Sequence, residues 1–449
     1  MTTEAQDFLA AHPNVEYLDA FIIDLCGRAI GKRFPRSQIE KLYKNGSQFC
    51  ASTYLLDVNG NSADPMGYGF SDGDPDADIW PVPGTLKPAP WGAQKGAQCL
   101  LTLKEAGSEE PVWFEPRVIL AKAAEKLAEL KLTPVIAMEL EFYLIDKTRT
   151  DTGAPQPPPH PRTGQRSWAG NVYGLDELED YDTLLTTISD ICKTQGIPAS
   201  TAISEYGAGQ FEINLEHGDD PLKAADDAAF LRRAILMAAR ETGYDATFLS
   251  KPYADLAGSG MHIHLSLVDE TGANIFDPAR ADGDKNLGAA IAGLQATMAE
   301  AMGIFAPNIN AFRRFVPDQF TPVTTDWGDN NRSMAFRIPA SDGANRRVEH
   351  RVSGAEANPY LALAAVLAGA AHGLAAGLEP SAKASGNAGA AVDPSLPLRP
   401  WSALQRLEEA EVLKDYLGED FLKIYAAVKS AELEEFLGEP SAREFEWYL

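Results

Sequence analysis

Four stretches of the chain place glutamate, histidine or arginine at every second position, the spacing that puts side chains on one face of a strand. Glu139 and Glu141 share a face of the stretch 138–145. In 209–215, Gln210, Glu212 and Asn214 oppose Phe211, Ile213 and Leu215. In 261–267, His262, His264 and Ser266 oppose Met261, Ile263, Leu265 and Leu267, and in 346–352 Arg347, Glu349 and Arg351 fall together. A lone Glu-x-Glu pair is most often the wet face of a sheet. Four strands carrying His, Glu and Arg point instead to one chemical site. Carboxylates that converge without a cation raise each other's pKa, and a bound metal ion relieves the repulsion. Oxygen ligands with one imidazole favour Mg²⁺ or Mn²⁺. Zinc is not expected, because the four cysteines form no CxxC pair and no His-pair spacing occurs.

A second constellation is arginine. Arg313, Arg314, Arg332, Arg337, Arg346, Arg347 and Arg351 crowd residues 313–351. Guanidinium forks match carboxylate and phosphate and stay charged when partly buried. Beside metal-ligand candidates they suggest phosphoryl transfer from a nucleotide. No GxxxxGK[ST] segment is present, so a P-loop is excluded. Gly258-Ser259-Gly260 alone reads as a turn.

The elements that must position these residues follow from pattern. Residues 15–34 read as strand, turn and strand around Gly27, and 52–57 as another strand before the turn at 59–61. The Asp- and Pro-rich stretch 72–90 should be irregular, and 98–104 should close a small N-terminal α/β unit. A helix over 116–130 opens a larger unit. The segments 147–170 and 381–400 read as surface loops, whereas 180–194, 221–242 and 401–437 read as helical. The apolar run 361–378 has the length of a short membrane span. Its Ala and Gly content, His372, and Asn358-Pro359 as N-cap and first residue make it a buried core helix.

Composition narrows the class. A chain of 449 residues exceeds one compact core, and its 45% hydrophobic content is that of an ordinary globular protein. A formal net charge of −25 argues against nucleic acid. Residues 1–13 carry Glu4 and Asp7 and no basic region before an apolar stretch, so a secretory signal is not expected. Unpaired cysteines suit a cytoplasmic protein.

Several motifs together resemble the glutamine synthetase family: Glu139-Leu-Glu141, EYGAGQFEIN over 205–214, GSGMHIH over 258–264, Asn331-Arg-Ser with Arg337-Ile-Pro339, and Arg347-Val-Glu349 with Asn358-Pro-Tyr360. The resemblance runs along the whole chain to Glu446-Trp447. It implies an α+β fold with a small N-terminal β-grasp domain (14–106) and a large catalytic domain with a curved antiparallel sheet (112–449). By motif, Glu141, Glu205 and Glu212 would bind one Mg²⁺ or Mn²⁺ ion, and Glu139, His262 and Glu349 a second. Gly258, Arg314 and Arg351 would hold glutamate, with Arg332 at the transferred phosphoryl group and Glu205 helping to deprotonate the amine. His217, His264, Ser266, Arg337 and Arg347 would serve ATP. The resemblance also implies a ring-shaped homo-oligomer, usually a dodecamer of two stacked hexamers, with sites formed between subunits.

The departures bear on the amine. Where family members that use ammonia carry a glutamate that binds ammonium, within 316–322, this chain has Phe320. An aspartate with the same role aligns near Cys50. Losing two carboxylates removes the attraction that fixes a small bare cation, and an apolar replacement suits a carbon chain. The resemblance is strongest to family members joining glutamate to alkylamines, putrescine foremost; ammonia, ethanolamine and monoalkylamines remain alternatives. Putrescine's second ammonium calls for an acidic partner, which the motifs do not supply. Ala257 and Ala344 replace polar family residues, and the tyrosine that bacterial members adenylylate is missing from 393–401.

Overall fold

The computed structural model describes residues 2–449. The alternation near the N-terminus becomes a hairpin of β1 (Tyr17–Ile23) and β2 (Ala29–Pro35). Its turn uses Gly27 at φ 76°, a left-handed conformation open to glycine at no steric cost. β3 (Ser47–Cys50), β4 (Asp76–Pro81), β5 (Lys87–Ala89) and β6 (Gly96–Lys104) complete a six-stranded sheet ordered β2-β1-β6-β4-β3, with β5 beside β6. β1 and β6 run parallel. The helix Arg36–Asn45 buries Ile39, Leu42 and Tyr43.

Two expectations fail in this sheet. Residues 52–57 form no strand; Ala51–Leu55 is a 3₁₀ turn. Tyr54 and Leu55 are adjacent and both buried, which the two-sided alternation of a half-buried strand does not allow. Conversely, β4 and β5 occupy part of 72–90. Ala77, Ile79 and Pro81 alternate inward, so pairing of β4 with β6 overrides the local weight of Asp and Pro.

The second sheet has eight strands: β7 (Thr133–Ile145), β8 (Ala199–Ser204), β9 (Gln210–Leu215), β10 (Asp245–Thr247), β11 (Met261–Val268), β12 (Trp327–Asp329), β13 (Phe336–Ile338) and β14 (Val348–His350). Their order is β12-β13-β14-β11-β7-β9-β8, with β10 on β7. All pairs are antiparallel except β12–β13. This order makes neighbours of the four strands with alternating polar faces, although only 348–350 of the fourth stretch is paired. Their other face is apolar: Met138, Leu140, Phe142, Phe211, Ile263 and Leu265 are all buried.

Helices cover that apolar face. Pro221–Glu241 is capped by Asp220, whose carboxylate accepts from the Leu222 and Lys223 N–H groups, and it packs on β7. Pro359–Ala376 starts as expected: the Asn358 side chain accepts from the N–H groups of Tyr360 and Leu361. The same side chain donates to the Asp24 carbonyl at 2.7 Å, tying the N-terminal hairpin to the start of this helix. Among the described residues two helices, Gly283–Phe305 and Pro359–Ala376, are long and apolar enough to cross a membrane, but most of the residues in their apolar stretches are buried within the fold. They pack against each other at glycines: a Cβ on Gly293 would lie 1.9 Å from the Gly369 carbonyl oxygen. The helical stretch 401–437 is three helices, Pro400–Glu408, Leu413–Leu417 and Glu419–Gly438, broken at Glu409 and at Gly418 with φ 98°. Residues 147–170 are loop throughout, and 381–399 contain only the 3₁₀ turn Ala388–Ala390.

Candidate active site

The register of the second sheet assembles the carboxylates. Glu139 on β7 is directly opposite His262 on β11 and Asn214 on β9. Glu141 is opposite Glu212, and Glu349 on β14 is opposite both His264 and Arg337. The contacts follow. Glu139 meets His262 Nδ1 at 3.2 Å and His264 Nε2 at 2.9 Å, and accepts from Asn214 Nδ2 at 3.0 Å. The Gly260 N–H donates to Glu141 at 2.7 Å. Arg337 and Arg351 both donate to Glu349.

Ligand atoms of Glu139, His262 and Glu349 lie within 4.8 Å of one another, as do those of Glu141, Glu212 and His262. The first group is the second metal set expected from sequence. In the other group His262 stands where Glu205 was expected. Glu205 is on the loop after β8, half-buried, with its backbone N–H donating to the Gln210 carbonyl at 2.9 Å.

The electrostatics divide the carboxylates in two. Burial and the charge of Glu205 push Glu141 up to about 8. Burial and the charges of Glu139, Glu141 and Glu205 push Glu212 up to about 10. Glu205 is raised too, chiefly by burial. Against the same burial, hydrogen bonds from His262 and His264 hold Glu139 well below the usual range, and Arg351 holds Glu349 at about 2. Burial and Arg351 lower His262, keeping its imidazole neutral and able to ligate. In Glu141, Glu205 and Glu212 burial thus outweighs the pull of Arg314, Arg332 and Arg351, and a neutral imidazole faces two of them, Glu141 and Glu212. That donor set fits a divalent cation with oxygen preference.

Two cavities flank this cluster, and Glu139 and Asn214 line both. The first, of about 680 Å³, holds Glu205, Gly258, Arg314, Arg332, Arg337 and Arg351. Arg314 is 4% exposed; among the described residues its one side-chain hydrogen bond goes to the Val352 carbonyl at 3.3 Å, and its Nε has no partner. A buried cation with spare donors is suited to an anionic ligand. Gly258 permits that arginine: a Cβ there would fall 2.8 Å from Arg314 Cγ and 3.0 Å from the Ser250 carbonyl. Arg351 Nε donates to the Arg332 carbonyl at 3.2 Å, coupling the two arginines.

The second cavity, of about 650 Å³, holds His217, His264, Ser266, Ala344 and Arg347. Arg347 Nε donates to His264 Nδ1 at 3.1 Å. Arg337, grouped with these residues from sequence, lies in the first cavity instead, because β13 pairs with β14 and sets Arg337 against Glu349. Phe320 and Ala257 also line the first cavity. Cys50 lines neither; its thiol faces Asp76 at 3.7 Å.

Some contributors had weak or no sequence signal. Gln210 donates to the Gly258 carbonyl at 3.0 Å and to Ser259 Oγ at 3.1 Å, fixing the glycine turn; its place on the polar face of β9 was the available clue. Tyr206 packs at a tilt against Phe320, with ring centroids 5.9 Å apart and planes at 42°, and Lys251, Asp255 and Asp318 line the same cavity. Tyr206 belongs to the 205–214 motif, but no motif marks Lys251, Asp255 or Asp318.

Comparison with known proteins agrees with this geometry. Residues 114–448 match the family profile for the glutamine synthetase catalytic domain. The chain is 40% identical over 448 residues to γ-glutamylputrescine synthetase PuuA of Escherichia coli K12, covering 100% of this chain and 94% of that protein. It is 31% identical to the glutamate–isopropylamine ligase of a Pseudomonas species, covering 96% of this chain and 94% of the relative. The solved structure of apo GmaS without ligand superposes with a TM-score of 0.84 at 27% identity, covering 100% of this chain and 99% of the other. The expected glutamine synthetase-like fold is therefore present. With a catalytic-domain match over most of its length and a full-length relative at this identity, the chain belongs to the glutamine synthetase family and is an ATP-dependent carbon–nitrogen ligase.

Proposed function

We propose that this enzyme joins the γ-carboxylate of glutamate to an alkylamine, putrescine or a related polyamine first, through γ-glutamyl phosphate. The observation that carries the choice of amine is Phe320: an aromatic ring, 52% exposed, stands against Tyr206 in the first cavity where a carboxylate would be needed to hold ammonium. The relatives that join glutamate to putrescine and to isopropylamine support it.

On this reading glutamate occupies the first cavity, its charges met by Arg314 and Arg351 beside Gly258, and ATP the second, against His217, His264, Ser266 and Arg347. Glu139, His262 and Glu349 would hold one Mg²⁺ or Mn²⁺ ion, and Glu141, Glu205 and Glu212 another, with His262 bordering both. Such ions, when bound, offset the charge of the phosphates and the γ-carboxylate. A γ-carboxylate oxygen attacks the γ-phosphorus of ATP and ADP leaves. Arg332 and Arg337 face the oxygens that gather charge, and Arg337, held by Glu349 and Asn330, needs little reorganisation. The amine nitrogen then attacks the acyl carbon, the C–O bond to phosphate breaks, and the nitrogen gives up a proton. An alkylammonium ion has a pKa of about 10.4, so a base is required; Glu205, raised by burial and standing in the same cavity, takes that role.

The units 14–106 and 112–449 would act as β-grasp and catalytic domains in a cytoplasmic homo-oligomer, a dodecamer by family pattern. The test is turnover with glutamate, ATP and Mg²⁺ against ammonium, n-butylamine, ethanolamine and putrescine, read by phosphate release and product mass. A higher kcat/KM for an alkylamine than for ammonium is expected. Preference for ammonium overturns the reading in favour of a true glutamine synthetase.

A further inference from the structure

The rim of the first cavity carries groups that none of the steps above uses. Phe320 and Tyr206 present an exposed aromatic wall. Two further carboxylates, Asp255 and Asp318, line the same cavity. Their surroundings differ. Asp255 is close enough to Lys251 for its charge to act on that ammonium. The Asp318 side chain has, among the described residues, one hydrogen-bond partner, the neutral amide of Asn387, which donates to Oδ1 at 2.8 Å. Oδ2 is left for a ligand. The backbone fixes where it stands: Asp318 is left-handed at φ 58°, and its N–H donates to the Gly389 carbonyl at 2.8 Å. Phe320 follows two residues later on the same rim, so the Phe320 half of the wall and the carboxylate belong to one short segment.

Resting on the glutamate–alkylamine reading above, we propose that this rim makes the enzyme a diamine ligase: Phe320 and Tyr206 pack the methylenes of the amine, and Asp318 receives its distal ammonium. The chemistry demands such a division. While one nitrogen must be neutral to attack, the other stays charged at neutral pH, and a charge drawn into a protein cavity needs a partner. On the same reading the cluster carboxylates are already engaged, by the cations and, for Glu205, by the attacking nitrogen. A monoamine of equal length gains the aromatic wall but nothing from Asp318.

The experiment compares kcat/KM for putrescine and n-butylamine in wild type, Asp318→Asn, Asp318→Gly and Asp255→Asn, with hydroxylamine turnover as the check that each variant is assembled. Asn and Gly both accept the left-handed backbone, so either substitution keeps the rim in place. Wild type should favour putrescine. Both Asp318 variants should lower the putrescine-to-butylamine ratio by about ten-fold or more, the size of one lost charge-assisted hydrogen bond, mainly through the KM for putrescine. Asp255→Asn should keep the ratio. An unchanged ratio in the Asp318 variants, or its collapse in Asp255→Asn, overturns the assignment. Equal use of both alkylamines by wild type overturns the diamine inference while leaving the alkylamine ligase intact, whereas preference for ammonium overturns that underlying reading.

Discussion

Glu212 should make the metal-free enzyme less stable than it need be, and Glu212→Gln should show it. The side chain is 5% exposed, and with no cation present burial and three neighbouring carboxylates push it up to about 10, against 4.5 in the unfolded chain. The sign follows from proton binding. Between those two values the folded protein holds a proton that the unfolded chain releases, so stability is full below 4.5 and falls as pH rises toward 10. At pH 7 the gap to the unfolded value is 2.5 pH units, a cost of about 3 kcal/mol at about 1.4 kcal/mol per unit. Glu141, held at about 8, shares part of it. Glutamine keeps the shape and removes the ionisation. In EDTA at pH 8, Glu212→Gln should therefore melt a few degrees above wild type, with the difference shrinking toward pH 5. Added Mg²⁺ should reverse the order, since ligand at a hundred times Kd stabilises by about 2.7 kcal/mol only where the site is whole, and ligase activity should be lost. Scanning calorimetry at three pH values, with and without Mg²⁺, reads all of this. A variant less stable than wild type in EDTA at pH 8, or an equal Mg²⁺ response in both, would refute the account of the cluster as a cation site strained without its ion.

Three further outcomes follow from particular contacts. Arg347→Ala removes the guanidinium that reaches His264 in the second cavity; the KM for ATP should rise about ten-fold, as for one charge-assisted bond, with the KM for glutamate little changed, and a rise confined to glutamate would refute the assignment of the two cavities. Phe320→Glu returns a carboxylate to the amine end and removes the apolar wall; the ratio of ammonium to alkylamine kcat/KM should rise by at least about ten-fold, and a ratio that stays put would place amine selection elsewhere. Gly293→Val drives a side chain into the Gly369 carbonyl, which a Cβ would already approach to 1.9 Å; the helix pair must separate, at a cost above about 3 kcal/mol, so poor folding or a sharply lowered Tm is expected, and a melting point like wild type would count against this helix packing.

How much was legible beforehand differs by element. The capped, periodic helices Pro221–Glu241 and Pro359–Ala376 announce themselves through Asp220 or Asn358 followed by proline. Strands β7, β9 and β11 carry an alternation that serves both core and site, so which side chains share a face was readable from spacing alone. The stretch 52–57 was not, since Tyr54 and Leu55 turn inward together only because the surrounding core accepts them. β4 was hidden for the converse reason, as its partner β6 supplies what its own composition lacks. In the site, which cavity Arg337 lines was not readable, because its position depends on the pairing of β13 with β14.

The sequence alone determined the chemical inventory: the acids and the imidazole, the arginines, and the family pattern that joins them. Those are properties of residue type and local spacing, and a two-residue period in a strand needs no tertiary information to be read. Tertiary structure decided what meets what. Strand register put His262 between Glu139 and Glu212, moved Glu205 to the edge of the cluster, and divided one run of arginines between two cavities. It also brought Tyr206, from the 205–214 motif, to a single rim with Phe320 and Asp318, more than a hundred residues away in sequence. Register and loop placement are set by the core that forms behind the sheet, and that core is a sum over the whole chain that no local stretch encodes.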